Sequence, residues 1–470
     1  MVTTLRSLLA GRRTTSALFV AGGIALLGGC GRSCGDGEGR RASDVDAAAT
    51  STASSAPRPA TSAGEGRIAT ARALALASPE GSSPADADIT RYQQVVKHAP
   101  EKADAWILLG RTWVRKAREA ADPGYYLSAN ACADLVLDME PDNRGALDLR
   151  GLVLLNDHKF AEARDLAAQL LTKAPDDILA LATLSDALLE LGRYDEALEA
   201  AQKMNDLKPG LPAYSRASYL RWLRGDVAGA KEVAHKAIDA HDPRDPEPWA
   251  WVTVQAAMIF WHEGDYKGAD KGFDVALGAV HDYPPALVGK GRVALATGDA
   301  AAAAALFDRA YKASPLVETA WLLGDARAAA GDTKGAEEAY AEVERRGRAG
   351  DGRTLALFYA TKGRSPDEAL RLAEAERKTR DDLYTEDAYA FALYRKGKLP
   401  EARAASDKAL ALGTPDARLL YHAGAIRIAA GDKAGGEKLV REALAKNPKF
   451  DLTSAAEAAS LLGDGARPGQ

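Results

Sequence analysis

The residue types that could do chemistry are few and scattered. Three histidine–acid groups fall near one another: His241-Asp242 with Asp245, His262-Glu263 with Asp265, and His281-Asp282. Imidazole and carboxylate together are metal ligands. Helical spacing argues against one shared ion, because His262 falls at the end of one helix while His241 and His281 close helices at the opposite edge. A helix of about 13 residues is roughly 20 Å long. These are expected to be solvated turn residues, and no metal is assigned. Cys132, beside Ala129 and Ala133, reads as a small core residue rather than a nucleophile. His98, His158, His235 and His422 stand alone and read as surface or packing residues. The acid pairs Asp176-Asp177 and Asp381-Asp382 suit the free N–H groups at helix starts. The sign-alternating run at residues 371–380 reads as a solvated face. There is no Gly-x₄-Gly-Lys-Ser/Thr loop, no His-Glu-x₂-His and no Gly-x-Ser-x-Gly. No catalytic residue and no cofactor is assigned, and the chain is not expected to be an enzyme.

One cysteine is placed differently. Arg6, Arg12 and Arg13 precede an apolar stretch at residues 16–27, which runs into Leu27-Gly28-Gly29-Cys30. A basic start, a short apolar run and small residues make a secretory signal. The run is shorter than the roughly 20 residues of a spanning helix. Leu27-Gly28-Gly29-Cys30 resembles the lipobox of bacterial lipoproteins. The resemblance implies removal of a signal peptide at residues 1–29 and lipidation of Cys30, detectable with a palmitate analogue. Several acyl chains on one residue exceed the two-signal threshold for stable anchoring. Gly31, where an Asp would retain the protein at the inner membrane, leans towards the outer membrane and the periplasm. An uncleaved signal anchor competes with this reading.

Residues 30–83 are rich in Gly, Ser, Ala, Thr and Pro and poor in aromatic or branched apolar side chains. Such a segment cannot offset the entropy of ordering and is expected to be a disordered tether carrying Cys34 as a spare thiol. Residues 67–77 are the exception, a transient Ala/Leu helix. The whole chain of 470 residues is 47% apolar but only 6% aromatic, with three Cys. Ala-rich packing suits closely approaching helices, and three Cys exclude a disulfide scaffold or a Cys₄ zinc site. A net charge of −5 gives no support to nucleic-acid binding.

The elements behind these residues repeat. Pro141, Pro175, Pro209 and Pro243 are spaced by 34. A small-residue series runs through Ala129, Ala163, Ala197, Ala230, Ala269, Ala303, Ala336, Ala369 and Ala402. A glycine series runs through Gly192, Gly225, Gly264, Gly298, Gly331, Gly363, Gly397 and Gly431. Three residue types in one register predict a solenoid. Each unit reads helix, Gly turn, helix, Pro-marked turn.

Trp106-x₂-Leu109-Gly110-x₂-Trp113, Ala303-x₃-Phe307, Ala336-x₃-Tyr340 and Pro315 resemble the tetratricopeptide repeat (TPR) family. The resemblance implies an all-α, right-handed α-α superhelix. Ten units are predicted, starting near Ala103, Arg144, Ile178, Leu211, Ala250, Pro284, Val317, Ala349, Leu383 and Ala417. The array spans 103–448, with an N-terminal capping helix at 84–102 and a closing helix and tail at 449–470. Three departures stand out: about seven extra residues around 117–125, an overlong Pro-rich junction at 241–248, and Gly436 where Ala is expected. Gly436 is expected to loosen its helix pair.

Carried over from the family, the inward positions of units four and five are Tyr219, Trp222, Trp251, Val254, Met258 and Trp261. Unit nine adds Tyr384, Phe391 and Tyr394. With Arg216 and Arg292 nearby, these residues suit an amphipathic or extended peptide. The same aromatics would equally thicken the superhelix by packing on one another. The function implied is a non-enzymatic protein-binding scaffold, lipid-anchored in the bacterial cell envelope, assisting assembly or recruitment of envelope proteins. A carbohydrate- or peptide-binding periplasmic protein competes with it, as does a cytoplasmic adaptor if the signal is unused.

Overall fold

A computed structural model describes residues 61–463, except 121, 241 and 244. Among the described residues the regular structure is entirely helical, in ten antiparallel pairs stacked side by side, with flanking helices at both ends. Unit three, Ile178–Glu190 with Tyr194–Leu207, shows why the sequence folds this way. Asp177 starts the first helix by accepting hydrogen bonds from the Leu179 and Ala180 N–H groups. Gly192 ends it with φ 70°, a left-handed conformation that side chains with Cβ disfavour. Lys208 closes the second helix just before Pro209, where the chain cannot continue helically.

Later units sharpen the turn with a Gly-Asp pair. Asp226, Asp265, Asp299, Asp332 and Asp432 each follow the turn glycine and accept from the backbone N–H three residues on. All eight glycines of the series have positive φ. In unit two His158 takes that place at φ 58°. Every alanine of the small-residue series is at most 2% exposed, so the second helices lie close against the first. Units one to four, six, seven, nine and ten start where the spacing predicts. Unit five instead starts at Pro246 and unit eight at Gly352.

The sequence departures have definite structures. In unit one the first helix, Ala103–Glu119, gains a turn and is followed by a 3₁₀ turn, Pro123–Tyr125. In unit five the first helix, Pro246–His262, gains a turn at its start. The two extensions meet: the Arg118 guanidinium lies 3.9 Å from the Glu247 carboxylate, which also accepts a 2.8 Å hydrogen bond from the Tyr283 hydroxyl. Gly436 does not loosen its unit, contrary to expectation. A Cβ there would lie 2.5 Å from the Gly424 oxygen, so the missing side chain permits backbone-on-backbone packing.

The tether expectation is also corrected in part. Thr61–Ala75 is a helix docked on the second helix of unit one, Tyr126–Met139, with Ala71 and Ala75 buried. Its small face fits closely, and its end is held by side-chain donors. Trp113 Nε1 donates to the Ala75 carbonyl (3.1 Å) and Gln93 Nε2 to the Ala77 carbonyl (2.7 Å). The helix Pro84–His98 follows, opened by a reciprocal Ser83–Asp86 capping box.

The array curves until it meets itself. The turns inside units three, four and five touch the loops that precede unit nine, unit ten and the closing helix Leu452–Leu461. Glu190 O accepts from Asp381 N–H (2.9 Å), and the Tyr194 hydroxyl accepts from Leu383 N–H (2.7 Å). Leu223 O accepts from the Thr414 hydroxyl (2.5 Å), and Trp261 O from Asn447 Nδ2 (2.8 Å). The turn glycines at this seam have a second constraint. A Cβ on Gly225 or Gly264 would lie 2.9 Å from the Gly413 or Lys446 oxygen, and one on Gly192 would collide with the Asp381 oxygen. At Gly298, Gly331 and Gly397 it would meet open space.

Candidate functional site

The first helices of units four, Leu211–Leu223, and five, Pro246–His262, carry the inward aromatics. The structure brings them together. Tyr219 stacks on Trp222 with ring centroids 6.0 Å apart, and Trp222 meets the His262 ring at 4.8 Å. Their accessibility divides them. Tyr219, Trp251 and Met258 are half-buried, whereas Trp222 and Trp261 are each 4% exposed. Leu383 and Tyr384 of unit nine join the apolar cluster containing Leu220, Trp222 and Leu223, with Tyr219 at its edge, while Trp261 is buried in a second cluster formed by units five and six. In unit nine Phe391 is fully buried, stacked 3.7 Å from His422, while Tyr394 is half-buried. Arg216 is buried in a bidentate pair with Asp186 (2.8 and 2.6 Å). It is a structural cation, not a free one.

Two pockets flank these residues. One of about 60 Å³ is lined by Tyr219, Trp222, Trp251 and Met258 with Arg216 and His262. The other, of about 180 Å³, lies between the two passes of the superhelix. Its walls come from Met258, Trp261, Trp321, Tyr384 and Phe450, and its polar groups include Arg292, Glu318, Arg353, Asp416 and Arg418. Arg292 pairs with Glu318 at 2.6 Å and Arg353 with Asp382 at 3.4 Å. Asp416 caps the helix Ala417–Ala429 and lies 3.9 Å from His262. Burial works to raise its carboxyl, but His262 and Arg418 outweigh it and hold it below the usual range. Burial depresses His262 against the pull of Asp416.

The seam carries buried charge. Arg380 is 4% exposed and lies 3.4 Å from Glu190, so the run at residues 371–380 is not wholly a solvated face. Its end enters the seam because the loop it precedes docks on unit three. Burial pushes Glu190 up, and Asp382 adds to the rise, while Arg380 and Arg353 pull it back. Asp382 and Asp177 do cap helix starts, as the paired acids suggest.

The remaining candidates are inert or separate. Cys132 is fully buried, and burial pushes its thiol far up. His281 is exposed beside Asp282, and His241 lies outside the described residues. Among the described residues no group of three or more His, Cys, Asp or Glu side chains could hold a metal. His422, read as isolated, is buried with Nδ1 2.9 Å from both Asp387 oxygens. His158 is driven down to about 3 by burial, with Arg380 and Arg353 adding to the fall. Cys30 and Gly31 lie outside the described residues. Among the described residues no helix is long and apolar enough to cross a membrane.

Models of the tetratricopeptide repeat match residues 154–218, 254–318 and 288–352. No curated protein matches the chain. Among solved structures, PilW, a type IV pilus biogenesis factor, is 17% identical over 44% of this chain and 94% of its own, with TM-score 0.37. A tetratricopeptide repeat protein from Parabacteroides merdae is 18% identical over 51% and 93%, with TM-score 0.37. The Cut9–Hcn1 complex is 15% identical over 84% and 82%, with TM-score 0.41.

Proposed function

The chain is a tetratricopeptide-repeat protein, and we propose that it is a non-enzymatic protein-binding scaffold tethered to a membrane of the bacterial envelope through Cys30. The observation that carries the binding reading is the half-buried trio Tyr219, Trp251 and Met258, gathered around one pocket on the inward face of units four and five. Large apolar side chains left accessible in an otherwise packed ring are suited to anchor a partner. Closure of the superhelix narrows the kind of partner. A long helix laid along the groove would displace unit nine, so the fitting ligand is a short apolar segment entering between units four and five. Trp222 and Trp261 support that surface from behind.

The anchor rests on Leu27-Gly28-Gly29-Cys30 after a basic and apolar leader. The outer membrane, facing the periplasm, is the favoured address because Gly31 follows the lipidated residue. Recovery of co-purifying proteins from envelope extracts tests both parts. Trp251→Ala and Met258→Ala should each weaken partner recovery, by roughly thirtyfold if one anchor contributes about 2 kcal/mol. Cys30→Ser should move the protein out of the membrane fraction. Unchanged recovery in both groove variants would remove the binding surface. Unchanged fractionation and mass for Cys30→Ser would remove the anchor.

A further inference from the structure

We propose that the inner side of units eight to ten is a docking site for an amphipathic helix carrying an acid, and that the closing helix, Leu452–Leu461, fills it as a displaceable strap. The surface is not the one around Trp251, and it is tested without the partner sought there.

In a repeat array each unit meets its neighbours. The closing helix does more. It packs on both helices of unit ten, Ala417–Ala429 and Lys433–Lys446, and also touches Gly352–Lys362, the first helix of unit eight. Phe450 and Asp451, just ahead of it, line the pocket between the two passes with Trp261 and Tyr384, which places the segment on the inner side. Its polar partners come from three first helices. Lys362 Nζ of unit eight donates to the Thr453 hydroxyl (2.7 Å), and Arg395 of unit nine pairs with Glu457 (2.9 Å). The Tyr421 hydroxyl of unit ten donates to the same Glu457 oxygen (2.6 Å). The Phe450 ring lies 5.8 Å from that of Tyr421, and Phe450 and Ala458 belong to one apolar cluster with Phe358, Phe391 and Tyr421.

This is how a helix lies in a groove, but the fit is thin. The strap buries only Ser454 and Ala458, two small side chains one turn apart, whereas the first helix of unit ten buries nine of its thirteen residues. At ten residues it is shorter than a helix that holds in water by itself, so lifting it off also melts it. The groove keeps its requirements when the strap leaves. Lys362 is matched by Asp325 (2.7 Å), but the carboxylate that Arg395 pairs with is Glu457. A segment of another protein that replaces the strap therefore needs an acid for Arg395, an aromatic residue seven positions before it, and small residues where Ser454 and Ala458 lie.

A labelled peptide of residues 449–463, titrated into the full chain in detergent and followed by fluorescence anisotropy, tests the strap. Ala458→Asp in the full chain puts a charge at the buried contact and should expel the strap. The peptide should then bind that variant saturably, with a Kd below about 100 µM, and bind the unmodified chain about tenfold or more weakly, because only the open fraction is competent. A peptide carrying Glu457→Gln should bind the variant several-fold more weakly. In the unmodified chain, amides of residues 455–461 should exchange roughly a hundredfold faster than those inside Leu383–Arg395, as local opening without unfolding of the units requires. Glu457→Gln in the full chain should speed that exchange. If Ala458→Asp fails to fold, the two exchange measurements decide. Strap amides that exchange together with unit nine, no saturable binding to a folded Ala458→Asp chain, or equal affinity for the two peptides would each overturn the proposal. A dimer of the unmodified chain that Ala458→Asp abolishes, seen by ultracentrifugation, would assign the site to a second copy and overturn it as well.

Discussion

Asn447 donates its side-chain amide to the backbone carbonyl of Trp261, 186 positions earlier, at 2.8 Å. The same side chain accepts at Oδ1 from the Tyr266 hydroxyl (2.7 Å) and from Lys449 N–H (2.9 Å), and it is 1% exposed. Asn447, five positions before the closing helix, thus ties the end of the array to the middle of unit five. Asn447→Ala removes one of the donors to the Trp261 carbonyl, which keeps Gly264 N–H (3.0 Å), and takes from the part-buried Tyr266 hydroxyl its Asn447 acceptor. It should cost about 1–3 kcal/mol in urea unfolding, through loss of the hydrogen bonds rather than of volume. A change within a few tenths would mean that the contact is not formed in solution.

Two glycines with the same local conformation should respond differently to alanine. Gly192 and Gly298 both have positive φ (70° and 93°), so each substitution incurs about 1–2 kcal/mol of backbone strain. Only at Gly192 does the new Cβ collide with the other pass of the superhelix, at the Asp381 oxygen. Gly192→Ala should therefore be less stable than Gly298→Ala by about 1–3 kcal/mol, the usual range for forced overpacking. Thermal melts of the pair measure the difference. Equal losses would leave the seam without support.

Trp222→Ala and Trp261→Ala should behave as core truncations. Each side chain is 4% exposed, and emptying such a site typically costs about 3–5 kcal/mol. Trp251→Ala, at a half-buried position, should cost clearly less. Chemical denaturation of the three variants separates packing residues from accessible ones. Near-equal stabilities would contradict the difference in burial among the three side chains.

A buried acid in unit two sets a pH dependence. Asp148 is 7% exposed, with Oδ1 unpartnered, and burial pushes its carboxyl to about 7, with Asp177 adding to the rise. The folded chain then binds more protons than the unfolded one between about pH 4 and pH 7. Stability contributed by this group is present below that window and is lost as pH climbs through it. Asp148→Asn should raise the melting temperature at pH 8, leave it little changed at pH 4, and flatten the slope between. A steeper slope would reverse the assignment.

The units were legible in the sequence because their signals are local. Asp177, Gly192 and Pro209 mark one helix pair within some thirty residues, and unit starts at Ile178, Leu211 and Leu383 coincide with the helices. Closure was not legible. Gly225 and Gly264 are each followed by Asp, as Gly298 is, and nothing local marks them as the ones that meet a second pass of the chain. Curvature accumulates from small rotations between units, so partners such as Tyr194 and Leu383 are set by the sum of many interfaces. That Tyr219, Trp222, Trp251, Met258 and Trp261 fall on the first helices of units four and five could be read from the sequence, but which of those side chains stay accessible depends on their packing with neighbouring units. The docked helix Thr61–Ala75 was hidden for another reason. Its contact face is alanine, which carries little hydrophobic signal until a neighbour fits against it.

Hydrogen exchange at the amides of Asp381 and Leu383 tests closure most directly. Both precede or open a helix, where N–H groups have no intrahelical partner and normally exchange fast. In the closed superhelix they donate to Glu190 O and to the Tyr194 hydroxyl. Residue-resolved exchange should find both protected to a degree comparable with helix interiors, and Tyr194→Phe should release Leu383. Rapid exchange at both positions in the unmodified protein would show an open superhelix and contradict the account.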